Sequence, residues 1–233
     1  MTPGLATLRA VPMFERLDAA LLGRLDAIAE LVRAERAAVL CTQGQPPALL
    51  HVLLDGQVAL HGTSPDGHQS AVEVLQPPAH FILAAVLTEM PYLMSATTVT
   101  PVRLLTLRAP ALRALIRTDH DLSIALLGAM ARDFRSMVRQ VRDLRLRSAA
   151  QRLGCYLLAL APDDTAREAK FRLPFDKSLL ASRLNCRQDS LSRAFATLRE
   201  FGVETHGSAV ALHDMPRLKA FSLPDELELP GRE

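Results

Sequence analysis

The segment 177–196, KSLLASRLNCRQDSLSRAFA, constrains the fold of this chain more than any other stretch. Apolar residues form one helical face before a short break and a second face after it, at Leu180, Leu184, Leu191 and Ala194. Asn185 lies in the break, where the chain must turn sharply and where a positive φ is needed. The pattern predicts a helix-turn-helix.

The second predicted helix has a polar face of residue types that commonly hydrogen-bond bases and phosphates. The face consists of Arg187, Gln188, Asp189, Ser190, Ser192 and Arg193. Asp189 and Arg193 are one helical turn apart, so we expect them to brace each other and to read bases. Arg187 and His206 are expected to hold phosphates. An ordinary helical hairpin with a polar surface is the alternative interpretation of the same residues.

The chain before residue 110 is mostly a series of short apolar runs separated by turn signals. An amphipathic helix is predicted over 14–33, and strands follow within 37–41, 48–62, 70–75, 95–100 and 102–107. Asp55-Gly56 and Ser64-Pro65-Asp66-Gly67 predict two tight hairpins. FILAAVL (81–87) predicts a short helix inserted among the strands. Together these features predict an antiparallel sandwich or roll.

Residues 122–147 predict one long helix with a seven-residue apolar repeat. The repeat is the seam of a two-stranded coiled coil and consists of Ile124, Leu127, Ala131, Phe134, Val138 and Val141. A flanking row, Met130, Met137 and Leu144, could pack on the parent domain. The pattern favours a homodimer, and a single core helix buried on two sides is the alternative. A further helix (149–160), a strand (171–175), a winged hairpin around His206-Gly207 and a last helix (214–221) complete the prediction.

This order of parts resembles the CRP/FNR family of bacterial transcription regulators. The specific matches are Gln43-Gly44, LLHVLLDGQVALHG, SPDGHQSAVEVL and LASRLNCRQDSLSRAFATLREFGV. The resemblance implies an α+β fold with a β-roll effector domain (1–121), a dimerisation helix (122–147), a winged helix-turn-helix (148–223) and an acidic tail (224–233). It also implies double-stranded DNA and RNA polymerase as partners. Asp189, Ser192 and Arg193 match the family's recognition helix, and Ser before Arg is closer to the FNR branch.

The effector site departs from the cyclic-AMP-binding branch of the family. Ile82-Leu83 replace a Gly-Glu pair, and Met94, before Ser95, replaces the Arg that binds the cyclic phosphate. Cyclic AMP is therefore not expected. The first Cys is Cys41, so the four-Cys iron–sulfur cluster of the oxygen-sensing branch is excluded.

With cyclic AMP and a four-Cys iron–sulfur cluster set aside, the sequence does not identify the cofactor. The predicted effector pocket is lined by His80, Phe81, Ile82, Leu83, Met94 and Ser95, with Leu87 nearby. Haem or another apolar effector is one interpretation, as in the nitric-oxide-responsive branch, with His51, His61, His68 and His80 as possible axial ligands. The other interpretation is a pocket filled by its own side chains.

Several other classes of protein are not supported by the sequence. No apolar run is long enough to span a bilayer, and the first ten residues lack the apolar core of a signal peptide, so a cytoplasmic protein without a membrane partner is expected. Cys41, Cys155 and Cys186 have neither disulfide nor metal-ligand spacing, so no metal site is expected. No catalytic motif is present, so the chain is not expected to be an enzyme. A β-roll ligand or signalling module without a DNA role is the alternative function.

Overall fold

The computed structural model describes residues 3–64, 66–67, 69–173, 177, 180–181 and 184–223. The chain divides into two compact units, Met1–Met137 and Val138–Glu233. The predicted acidic tail, 224–233, lies outside the described residues, as do His68 and the last two residues of the strand predicted over 171–175. In the part of the chain that the structure describes, no helix combines the length and the apolar character needed to cross a membrane.

The first unit is an antiparallel roll flanked by helices. Its strands are β1 (Ala29–Ala34), β2 (Val39–Cys41), β3 (Leu49–Asp55), β4 (Val58–Thr63), β5 (Gln69–Leu75), β6 (Ala79–Phe81), β7 (Ser95–Thr98) and β8 (Val102–Arg108). They form two four-stranded sheets, in the orders β1-β8-β3-β6 and β2-β7-β4-β5. The helices are α1 (Leu5–Arg9), α2 (Ala19–Asp26), α3 (Leu83–Thr88) and α4 (Ala109–Thr118), followed by the long α5 (His120–Leu146). The predicted roll with an inserted helix is confirmed.

The helix predicted over 14–33 is confirmed only in its middle part and is wrong at both ends. Only Ala19–Asp26 is helical, and Asp18 caps it by accepting a hydrogen bond of 2.7 Å from the Leu21 N–H. Residues 29–34 form β1 and pair with β8 from Ala29↔Leu107 to Ala34↔Val102. The apolar spacing favoured a helix, but pairing with a strand distant in sequence overrides local propensity.

The two predicted hairpin turns have different roles. Ser64–Gly67 does join a paired hairpin, β4–β5, and the Gly67 N–H donates to the Ser64 carbonyl over 2.9 Å. Asp55-Gly56 also makes a tight turn, with φ 83° at Gly56, but β3 and β4 belong to different sheets, so the predicted hairpin is wrong there. A Cβ at Gly56 would lie 2.3 Å from the Pro101 carbonyl oxygen, so this passage between the sheets requires glycine.

The first unit has two apolar clusters on opposite faces of the β1-β8-β3-β6 sheet. One cluster, which we call the helical cluster, packs α1, α2, α4 and the start of α5 against Leu50, Val52, Leu105 and Leu107. The other, which we call the roll cluster, contains Cys41, Leu53, Val58, Leu60, Phe81, Tyr92, Ala96, Val102 and Leu104. Alternate residues of β3 and β8 therefore point to opposite faces, as the period of a strand requires.

The second unit contains the C-terminal part of α5, α6 (Ala149–Ala159), α7 (Gln188–Arg199), α8 (Met215–Ser222) and a three-stranded sheet. Ser148 begins α6 with a capping box, since the Ser148 hydroxyl accepts from the Gln151 N–H and the Gln151 side chain accepts from the Ser148 N–H. The strands are β9 (Ala169–Arg172), β10 (Val203–His206) and β11 (Ala209–Leu212), in the order β10-β11-β9. The predicted wing is thus a hairpin extended by β9.

Candidate nucleic-acid interface and effector site

The turn before α7 has the geometry that its sequence predicts. Leu180 and Ala181 are helical, and Asn185 has φ 46°, in the left-handed region. The Cys186 N–H donates to the Ala181 carbonyl over 2.9 Å. A left-handed residue followed by this long backward hydrogen bond is a Schellman ending, which satisfies carbonyls that the helix leaves open. The chain is therefore turned sharply just before α7 begins.

Helix α7 has one buried and one exposed face. Leu191, Ala194, Phe195 and Leu198 are buried in the core of the second unit, together with Leu180 and Leu184. The predicted DNA-contacting side chains lie on the other side, where Arg187, Gln188, Asp189, Ser192 and Arg193 are exposed and Ser190 is half-buried. Arg187 is the N-cap, so it lies at the end of α7 where unpaired N–H groups attract anions.

The predicted mutual bracing of Asp189 and Arg193 is wrong. No hydrogen bond or ion pair joins these two described side chains, and the Arg193 guanidinium instead lies 3.4 Å from the Ser190 hydroxyl oxygen. Both side chains are exposed, so water solvates their charges at little cost, and an ordered pair would lose side-chain entropy. Each is free to meet a partner outside the protein.

The wing carries a histidine–carboxylate group that sequence reasoning missed. The His206 side chain is 81% exposed, and its Nδ1 lies 3.9 Å from the Glu204 carboxylate. His213 Nε2 lies 3.1 Å from the other Glu204 oxygen. These neighbours lower the pKa of Glu204, first through the hydrogen bond from His213 and then through the charge of His206. His206, predicted to hold a phosphate, thus lies beside the negative charge of Glu204. The sequence signal for this contact is that the two residues are two positions apart on one strand and so share a face.

A second missed residue, Arg152 on α6, fixes the turn before α7. Its Nε donates to the Leu184 carbonyl over 3.2 Å, and its Nη1 donates to the Arg147 carbonyl over 2.8 Å. Leu184 immediately precedes Asn185, so one guanidinium connects the start of α6 to the turn. No local sequence signal marks the contact with the turn, because its partner is a backbone carbonyl 32 residues away in the chain.

The predicted effector residues do not all lie together. Phe81 is buried in the roll cluster, and Ile82 and Met94 pack against the same cluster with partial exposure. Leu83 is buried instead in the helical cluster, so its predicted place in the pocket lining is wrong. Successive residues at the start of α3 point in different directions, which separates Leu83 from its neighbour.

The turn into α3 is strained. Ile82 has φ 61° and ψ 17°, a left-handed conformation that is an outlier for a β-branched residue. This is the position at which the resembled family places glycine, and the left-handed state costs an L-residue about 1–2 kcal/mol. Glu89, at the other end of α3, is also left-handed, with φ 61°. The inserted helix is therefore flanked by two conformations that only the surrounding structure maintains.

The polar groups beside Met94 are engaged within the protein. The Ser95 hydroxyl oxygen accepts from the Gln43 N–H over 3.0 Å. The Gln43 side chain reaches across to the Thr63 backbone, accepting at 2.8 Å and donating at 3.2 Å. Met94 has no charge to offer where the resembled family offers a guanidinium.

The histidines considered as axial ligands are in different environments. His80 Nε2 lies 2.9 Å from Asp133 Oδ2 on α5, so this nitrogen already has a partner. His61 is half-buried, and partial desolvation lowers its pKa. His51 is 4% exposed, and burial lowers its pKa to about 4. No cluster of three or more His, Cys, Asp or Glu side chains that could hold a metal ion occurs within the described ranges.

All six predicted seam residues on α5 are exposed in the single chain. Phe134 is 61% exposed, and the large apolar side chains at the other seam positions, Ile124, Leu127, Val138 and Val141, are each about half exposed or more. The helix packs on its own unit through another stripe, Leu122, Leu126 and Ala129, with Met130 partly buried beside it. Met137 and Leu144, predicted with Met130 as a packing row, are exposed, so that part of the prediction is wrong.

Known proteins share both parts of this arrangement. A family model for a cyclic nucleotide-binding domain matches residues 31–119, and one for a Crp-like helix-turn-helix domain matches residues 151–221. A CRP-like cAMP-activated global transcriptional regulator of Mycobacterium tuberculosis is 24% identical over 210 residues, which are 88% of this chain and 94% of the relative.

Solved structures are similar to this chain over almost its whole length. A candidate cyclic nucleotide binding protein from Ruegeria pomeroyi is 30% identical with a TM-score of 0.64, and the match covers 95% of this chain and 97% of that protein. DNR from Pseudomonas aeruginosa is 25% identical with a TM-score of 0.51, with coverage of 92% and 95%. With its cyclic nucleotide-binding-type roll, its long helix and its Crp-like helix-turn-helix, the chain belongs to the CRP/FNR family of DNA-binding transcription regulators.

Proposed function

We propose that the protein is a homodimer that reads a palindromic DNA site through α7 and responds to an uncharged, apolar effector. The observation that carries the DNA part is the exposed polar face of α7, since the opposite face of the helix is buried. Arg187 and Gln188 lie on that exposed face at the N-terminus of the helix. Side chains near the N-terminus of such a helix reach base edges in the major groove. Two dimer-related copies would enter successive grooves about 34 Å apart.

Within this proposal, Arg193 reads a guanine and Asp189 accepts from a base amino group, each independently of the other. Arg187 holds a phosphate at the helix start. Ser192 before Arg193 supports a position near the FNR branch. RNA polymerase is the partner that activation from such a site would require.

Arg193→Ala is expected to reduce affinity for a selected site by about 1–3 kcal/mol and to relax specificity at one base pair in each half-site, because a base contact is lost.

Arg187→Ala should weaken binding to all sequences alike, because a phosphate contact is lost. It should also reduce the slope of log K against log salt concentration by about one per subunit. The measurement is a gel shift on a site selected from random DNA and on scrambled DNA, at two salt concentrations.

Arg199→Ala is the matched control, because Arg199 is an exposed arginine in the last turn of the same helix, away from its N-terminus. It should leave specificity unchanged. If Arg193→Ala loses equal affinity on both DNAs, Arg193 is a phosphate contact and the base-reading role is wrong.

The effector part of the proposal rests on the roll. Phe81, Ile82 and Met94 give the site an apolar wall, and Met94 stands where the cyclic phosphate would need a guanidinium. A buried phosphate without a paired cation is strongly unfavourable. The part of the effector inside the roll should therefore be uncharged. Organic apolar molecules satisfy that requirement, and haem satisfies it with its macrocycle when its two charged propionates lie outside the apolar wall.

Cyclic AMP is expected to bind no more tightly than about millimolar, which is roughly 4 kcal/mol of binding free energy. Isothermal titration calorimetry on the purified protein tests this directly. Met94→Arg is an informative companion variant, since restoring the guanidinium should raise affinity if charge is what the site lacks. Micromolar binding to the unmodified protein would contradict the proposed effector class.

A further inference from the structure

His51 is the feature of the roll that the DNA-binding function does not explain. It lies on β3, directly opposite Phe81 of β6 on one side and Thr106 of β8 on the other. Leu53, two residues further along β3, belongs to the roll cluster, so His51 faces the interior of the roll as well. The imidazole and the Phe81 ring are stacked, with centroids 5.1 Å apart and planes inclined by 14°.

The imidazole has an unsatisfied polar atom in this apolar interior. Its Nδ1 is buried and has no hydrogen-bond partner among the described residues. Other buried polar side chains of the same unit are paired. Thr98 donates to the Glu35 carbonyl over 2.6 Å, Thr106 donates to the Glu30 carbonyl over 3.3 Å, and the Tyr92 hydroxyl accepts from the Ala48 N–H over 3.0 Å. A buried acceptor without a partner destabilises the fold, and phenylalanine at this position would avoid that cost.

We propose that His51 Nδ1 is the polar anchor of the effector site and that the ligand is an uncharged, planar aromatic molecule with one hydrogen-bond donor. The proposal deepens the effector part of the proposed function and rests on it. In the tautomer that carries the proton on Nε2, which free histidine side chains prefer, Nδ1 accepts a hydrogen bond from a ligand N–H or O–H.

The surroundings of His51 match the rest of that ligand. Phe81 provides an aromatic face beside the imidazole, and Phe81 belongs to the same apolar cluster against which Ile82 and Met94 pack. Met94 is only partly buried, and its unbranched thioether can change rotamer and contact a ring. Phe81 also connects the site to the rest of the unit, because the preceding residue, His80, bonds Asp133, which is next to Phe134 of the seam on α5.

The test compares two probes of similar shape. Indole has a ring N–H, and benzothiophene has a sulfur atom in its place. Binding to the full-length protein is measured by isothermal titration calorimetry. Unmodified protein should bind indole about ten-fold more tightly than benzothiophene, the effect of one hydrogen bond to a buried acceptor. His51→Phe should bind the two probes with affinities within about two-fold of each other.

Two measurements separate this role from a structural one. Indole should shift the ¹⁵N resonance of His51 Nδ1, whereas benzothiophene should leave it in place. His61→Phe is the matched control, because His61 is a half-buried histidine of the same roll, on β4 in the other sheet. The His61→Phe variant should keep the preference for indole. His51→Phe should also retain the thermal stability of the unmodified protein or exceed it, which shows that the lost preference does not come from unfolding.

Equal affinity for both probes, no binding of indole at millimolar concentration, or a preference that survives in His51→Phe would each overturn the proposal. Failure of the proposed function is visible elsewhere. Micromolar binding of cyclic AMP would contradict the effector class, and absence of sequence-dependent DNA binding would contradict the regulator, whatever the indole titration shows.

Discussion

Phe134→Glu is expected to convert the protein from a dimer to a monomer at micromolar concentration. Phe134 is 61% exposed in the single chain and lies in the middle of the apolar repeat on α5, so the fold itself tolerates a charge there. In a dimer the two glutamates would meet in an apolar seam. An uncompensated buried charge costs about 3–5 kcal/mol, which weakens association at least about a hundred-fold.

Sedimentation equilibrium at several concentrations measures this change. Leu146→Glu is the matched control, since Leu146 is an exposed apolar residue on the same helix, 75% exposed, and lies outside the seven-residue repeat. The control should remain a dimer, and Phe134→Glu should also lose affinity for a palindromic site because only one half-site is bound. Unmodified protein that sediments as a monomer would contradict the dimer, and a dimeric Phe134→Glu would place the interface elsewhere.

The stability of the first unit is expected to fall as the pH is lowered from about 6.5 to about 4, with His51 as a main cause. Burial lowers the pKa of His51 from 6.5 to about 4, so the unfolded chain binds a proton in this window and the folded chain does not. Well above pH 6.5 the imidazole is neutral in both states and protonation adds no penalty, and the penalty grows as the pH falls from 6.5 towards 4. The shift corresponds to roughly 3 kcal/mol.

Chemical denaturation at a series of pH values, on unmodified protein and on His51→Phe, isolates this contribution. Carboxyl groups also titrate near pH 4, but they are common to both proteins and cancel in the difference. The variant should lose roughly 3 kcal/mol less than the unmodified protein over the window. His120→Gln is the matched control, because it removes an exposed histidine, and it should follow the unmodified curve. Parallel curves for His51→Phe and unmodified protein would show that His51 is protonated in the folded state.

Local hydrogen bonding explains why the helix-turn-helix could be predicted. The Schellman ending at Asn185 and the capping box at Ser148 join residues three to five positions apart, so their signals lie within a short stretch of sequence. The buried face of α7 follows from helical periodicity for the same reason, and the exposed recognition residues are what remains on the other face.

Long-range pairing explains where sequence reasoning failed. Residues 29–34 have helical apolar spacing but become β1 because β8 offers a ladder of backbone partners. Asp55-Gly56 resembles a hairpin, yet its two strands diverge into different sheets. The direction of the Leu83 side chain depends on the left-handed conformation of Ile82. The sequence does not predict that conformation, because β-branched residues rarely adopt it.

The sequence alone determined the elements whose partners are near in the chain: the helix-turn-helix, the long helix with its exposed repeat, and the alternating strands of a roll. Tertiary structure alone decided which strands pair, which face Leu83 takes, that His80 meets Asp133, and that His51 is buried with its Nδ1 unsatisfied. The physical reason is that periodicity and capping act over one or two turns of chain, whereas burial and desolvation depend on residues that folding brings together from distant positions.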